Sequence, residues 1–204
     1  MAHYVAGSLP EPARVLVAAH LEMLPVNRLM VRDLEALAGE ALELQPLAAV
    51  DNKAELLAAI FASEAPTETP YLPTAAVPAG HFPRALRDFI GFDVADIPWR
   101  TKLRGFKEYS LGDIDGCEVS LMWIRAGRTL PAHTHHGVEL TLVLDGAYND
   151  IRGHYGPGDI SVADDAIVHR PVAEKDRPCI AFSVLEAPIR LKGPLTQLIG
   201  DLIG

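Results

Sequence analysis

Apolar positions recur at helical spacing through the first third of the chain. Pro10 and Pro12 suit a first helical turn, Ala13 to Leu24 is dense in Ala, Val and Leu, and Pro25 ends the run. Asn27 can cap a second helix, in which Met30, Leu34, Leu37 and Ala41 follow at steps of four, three and four. Asp51 can cap a third, with Leu56 and Ile60, and Leu57 and Phe61, as stacked pairs. These stripes predict a mutual core. Three short helices bury little by themselves, however, so one is expected to offer an apolar face to something else.

The pattern breaks at residues 65–80, "APTETPYLPTAAVPAG", where four prolines in sixteen residues preclude a regular element and give a semi-rigid spacer. A short helix, "PRALRDFIG", follows with Pro83 in its first turn. From about Trp99 the period changes to short strand-like runs between turns: "KLRGFKEYS", "CEVSLMWIRAG", "VELTLVLDG", "DISVADD" and "CIAFSVLEA". Strands at that spacing with glycine-rich turns predict an all-β sandwich or barrel. The closing "GPLTQLIGDLIG" is a weak amphipathic tail. The expected organisation is α+β: a helical domain over 1–64, a linker over 65–80 and a β domain over 81–204.

Composition narrows the class. A chain of 204 residues with 49% apolar and 22% charged residues is globular. No apolar run approaches the roughly 18 residues of a membrane span, and no charged-then-apolar leader opens the chain, so a cytoplasmic protein without membrane contact is expected. The cysteines, Cys117 and Cys179, stand apart in apolar surroundings and read as reduced core thiols. A net charge of -9 argues against direct contact with nucleic acid. Residues 1–80 hold four basic groups against ten acidic ones, which would suit a basic protein partner.

The candidate chemistry lies in "PAHTHHGVELTLVLDG", residues 131–146. Side chains two apart on a strand share a face, and His133, His135 and Glu139 have the same parity. His136 has the other parity and reads as a surface or neighbouring residue. Imidazole and carboxylate converging on one point suit Zn, Fe, Mn, Ni or Cu, and the lack of thiolate removes an iron–sulfur cluster. His81 and His154 lack ligand spacing.

Written out, Gly127, His133, His135, Glu139 and Gly146 form G-x5-H-x-H-x3-E-x6-G, and "GDISVADDAIVH" runs from Gly158 to His169. This pair of motifs resembles that of the cupins, small β-barrels of the double-stranded β-helix or jelly-roll type that hold one metal ion. The first motif matches at every fixed position. The second has Asp164 and Ala166 where proline and glycine are usual. The resemblance implies one divalent metal per chain on His133, His135, Glu139 and His169, with zinc foremost and iron, manganese or nickel as alternatives.

The opening "YVAGSLPEPARVLVAAHLEML" is similar to the start of the anti-sigma domain of ChrR-type regulators, which join sigma-binding helices to a C-terminal cupin. Tyr4, Ala6, Gly7, Ser8, Leu9 and His20 match. In that family the helix ends in H-x3-C-x2-C, part of a zinc site; here the two cysteine positions are Leu24 and Asn27. The resemblance implies a negative regulator of transcription that binds a sigma factor of the ECF type and answers oxidative stress such as singlet oxygen; the departure at Leu24 and Asn27 predicts a helical half that folds without zinc. A homodimer is the expected assembly. The alternatives are a metal-dependent cupin enzyme, dioxygenase-like, whose helices only pack or dimerise, and a storage or structural cupin.

Overall fold

A computed structural model describes residues 1–64 and 82–194. The proline-rich spacer, His81 and the amphipathic tail from residue 195 lie outside the described residues. The helices are α1 (Ala2–Val5), α2 (Glu11–Met23), α3 (Arg28–Glu43), α4 (Lys53–Ala62) and α5 (Arg84–Ile90). The strands are β1 (Arg100–Leu103), β2 (Phe106–Ile114), β3 (Cys117–Ile124), β4 (His133–His135), β5 (Glu139–Asp145) and β6 (Tyr148–Asp150). They continue with β7 (Gly153–Tyr155), β8 (Ile160–Ala163), β9 (Val172–Ala173), β10 (Cys179–Leu185) and β11 (Ile189–Leu191).

Helices followed by a sheet-rich cupin domain is the architecture found. The strands divide into three sheets instead of closing into one continuous barrel. Six form a large sheet in the order β1-β2-β3-β10-β5-β8; β11 pairs with β4, and β6 lies between β7 and β9. All pairings are antiparallel. The cross-strand bridges His133–His169 and Thr129–Val172 link loops to the smaller sheets.

β10 explains the layering. Its sequence, CIAFSVL, is almost wholly buried because it runs between β3 and β5 with both faces covered. Phe182 and Val184 point to the outer face, where Leu16 and Ala19 of α2 and Leu86 of α5 pack over Val119, Leu121 and Leu142. Cys179 belongs to the inner cluster, with Ile124, Leu130, Val143, Tyr148 and Ala173. Both cysteines are buried free thiols, and burial pushes the Cys179 thiol up to about 12.

The helices therefore do not form the mutual core that their stripes predict. α2 spends its apolar face on the outer face of the sheet, while Val31 packs with Val17 and Leu21 to anchor the start of α3. Every residue of α4 is exposed. Two carboxylates tie the helices to their surroundings by capping. Asp115, on the tight turn between β2 and β3, accepts the Glu11 amide at 2.9 Å and so caps α2. Glu22 of α2 accepts the amides of Arg84 and Ala85 at 2.7 and 3.0 Å, capping α5. Asn27 and Asp51 are not the caps expected of them: the α3 cap lacks a side-chain bond, and α4 is preceded by Asn52.

Candidate metal centre

The four predicted ligands come from three places in the chain. His133 and His135 are the ends of β4, pointing the same way, while Thr134 between them turns back to donate to the carbonyls of Asp164 and Asp165 at 3.2 and 3.1 Å. A turn over residues 136–138 then carries the chain into the large sheet, so Glu139 opens β5 on a different sheet from β4. Glu139 shares parity with Thr141 and Val143 and so faces inward. His169 arrives opposite His133, the two backbones exchanging N–H···O bonds of 3.0 Å. His136 is exposed, and the exposed His154 pairs with Glu174 at 3.0 Å; neither joins the group.

Gly146, the last position of the first motif, is needed for packing. Its φ is +67°, and a Cβ there would lie 2.9 Å from Cys179 Cα and overlap the Pro178 carbonyl.

All four side chains are buried, and one donor atom from each lies within 4.8 Å of the others. His133 donates from Nδ1 to the Pro131 carbonyl at 2.7 Å. His169 presents Nδ1 to the Asp150 carboxylate at 3.3 Å. With those protons directed outward, the bare Nε2 atoms of His133 and His169 face each other at 2.9 Å. The Nε2 of His135 lies 3.1 Å from that of His169 and 3.2 Å from Glu139 Oε2. Ser183 donates to Glu139 Oε1 at 3.3 Å. The bare lone pairs of His133 and His169, crowded to 2.9 Å, repel unless a cation lies between them, so the residues fit a metal ion by geometry as well as by donor type.

The protonation states agree. Burial, with the neighbouring His169 adding to it, lowers His133 to about 4 and keeps the imidazole neutral. For Glu139, burial works to raise the carboxyl, but the hydrogen bond from His135 and the adjoining imidazoles outweigh it and hold the group below its ordinary value. A cavity of about 480 Å³, walled by Phe106, Met122, Leu130, Leu185, Ile189 and Leu191, reaches His133 and Glu139.

Among the described residues, no second group of ligand side chains converges in the helical half. His20 is buried; its Nδ1 donates to the Gly158 carbonyl at 2.6 Å and its Nε2 accepts from Asn27 Nδ2 at 2.9 Å. Leu24 packs against Gly158, so near that a Cβ there would stand 2.8 Å from Leu24 Cγ. Both nitrogens of His20 are engaged, and the residues around it do not fit a zinc ion.

The chain is similar to known proteins over most of its length. A family model described as the ChrR cupin-like domain matches residues 88–187. The anti-sigma-E factor ChrR of Cereibacter sphaeroides is 34% identical over 198 residues, covering 96% of this chain and 91% of that relative. The crystal structure of Rhodobacter sphaeroides SigE in complex with the anti-sigma ChrR matches with a TM-score of 0.72 and 33% identity, over 90% of this chain and 93% of that one. Identity at that level, running from the helices through the cupin domain, makes the chain a member of the ChrR family of anti-sigma factors.

Proposed function

We propose that this chain sequesters a sigma factor of the ECF type with α3 and α4 and holds one zinc ion in its cupin domain, acting in the cytoplasm as a negative regulator that responds to oxidative stress. The observation that carries the sigma-binding half is the uncovered apolar surface. Leu29, Met30 and Leu37 of α3 and Ile60 and Phe61 of α4 are all more than half exposed, Phe61 reaching 81%. Helices folded for their own sake would not leave such groups in water, and surfaces of this kind mark protein interaction sites. The related ChrR is solved in complex with SigE. The excess of acidic over basic groups in residues 1–80 favours a basic partner.

The metal half rests on His133, His135, Glu139 and His169. Three imidazoles and a carboxylate suit zinc, and the ion would supply a charge that holds β4, β5 and the His169 segment together. The oxidative signal is the one implied by the family resemblance. When no sigma factor is present, the apolar side of α3 and α4 is expected to pair two copies as a homodimer.

Transcription reconstituted from RNA polymerase and an ECF sigma factor of the same genome tests this function. Adding the chain should suppress sigma-dependent transcripts at near-stoichiometric amounts and leave those of the housekeeping sigma factor untouched. Unchanged transcription would remove the regulator reading, and turnover of a small molecule by the metal-loaded chain would favour the dioxygenase-like enzyme instead.

A further inference from the structure

We infer that Asp150 is a positioning residue for the metal group, setting its affinity by fixing the proton of His169; the inference rests on the metal reading above. Asp150 ends β6, and its side chain is fully buried. One carboxylate oxygen, Oδ1, accepts the amides of Arg152 and Gly153 at 2.7 and 3.2 Å, which locks the plane of the group across the turn into β7. The other, Oδ2, lies 3.3 Å from His169 Nδ1.

An imidazole has two nitrogens and, when neutral, one proton. A carboxylate can only accept, so Asp150 holds that proton on Nδ1 and leaves Nε2 bare toward His133 and Glu139. The negative charge also raises the electron density that Nε2 offers to a cation. The other two histidines are held differently. His133 gives its outer proton to a neutral carbonyl, that of Pro131, and the outer nitrogen of His135 is buried without a hydrogen-bond partner. Asp150 is thus the carboxylate set behind the ligand histidines, and it acts on the one that reaches the site from outside the first motif. Nothing in that motif points to it, because it stands nineteen residues before His169, at the end of β6.

Asp150→Asn separates orientation from structure. Asparagine keeps a carbonyl oxygen for the two turn amides but then presents its amide N–H₂ to His169. Donor against donor drives the imidazole proton to Nε2, where it blocks the metal. Zinc competition titrations on the full chain should give a dissociation constant 10- to 100-fold higher for Asp150→Asn than for the natural chain. The unfolding midpoint of the metal-free form should move little. Long-range ¹H–¹⁵N spectra of the metal-free proteins should place the His169 proton on Nδ1 in the natural chain and on Nε2 in the variant. Equal zinc affinity in the two proteins, with His169 in the same tautomer, overturns the role of Asp150 alone. A natural chain that takes up no zinc at all overturns the metal reading, and this inference with it.

Discussion

His20 donates from its Nδ1 to the carbonyl of Gly158 at 2.6 Å, joining the end of α2 to the turn before β8. Asn27 completes the arrangement from the other side of the ring, and Leu24 fills the space above Gly158. The three positions that the family resemblance associates with zinc thus attach the helices to the cupin domain by hydrogen bonds and apolar contact. His20→Ala should cost about 1–3 kcal/mol, since it strands a buried carbonyl and the Asn27 amide together. Chemical denaturation of the full chain measures that loss. Elemental analysis of the natural chain should find about one metal equivalent, and a second tightly held zinc would contradict the attachment as described.

The packing of α2 on the sheet makes its core residues part of the cupin fold. Leu16 is wholly buried among Val119, Leu121, Leu142 and Phe182, whereas Leu57 on α4 is 40% exposed. Leu16→Ala should therefore destabilise the chain by about 2–5 kcal/mol, while Leu57→Ala should stay within about 0.5 kcal/mol. Urea midpoints of the two variants decide the matter. Equal effects would mean that α2 does not share the β-domain core.

Acid should destabilise the folded, metal-free chain through His133 and Glu139 in two stages with the same sign. In the folded, metal-free chain His133 titrates near 4 instead of 6.5, so between those values the unfolded chain binds the extra proton. Stability contributed by the neutral ring is complete above about 6.5 and falls as pH drops toward 4. Glu139, held below its ordinary 4.5, adds a loss that begins as pH falls through that range. Thermal unfolding of the metal-free chain should show a midpoint that declines from pH 6.5 to 4. His133→Gln should flatten the upper part of that decline, and an unchanged slope in the variant would contradict the assignment to His133.

Much of the candidate metal site was legible because its chemistry is local. The spacing of His133, His135 and Glu139 expresses strand parity, and Gly146 and Gly158 mark turns that tolerate no side chain. What the sequence hid is what forms between distant segments. An amphipathic stripe says that α2 has an apolar face, not that the face lies on β10. Asp115 and Glu22 cap helices far from themselves in sequence, and no local pattern signals that. Strands of two or three residues, such as β6, β9 and β11, are too short to show a period, which also concealed Asp150. Asn27, a suitable cap by residue type, was taken instead by His20.

The interaction surface gives the most direct test of the whole account. The apolar side chains of α3 and α4 stand clear of the body, so charge placed on them should spare the fold and abolish docking. Calorimetric titration of the full chain with an ECF sigma factor of its own genome should give a one-to-one complex. Leu37→Asp combined with Phe61→Asp should raise the dissociation constant at least 100-fold, with metal content and unfolding midpoint unchanged. A natural chain that binds no such sigma factor, or a doubly substituted chain that binds it equally well, would contradict the account.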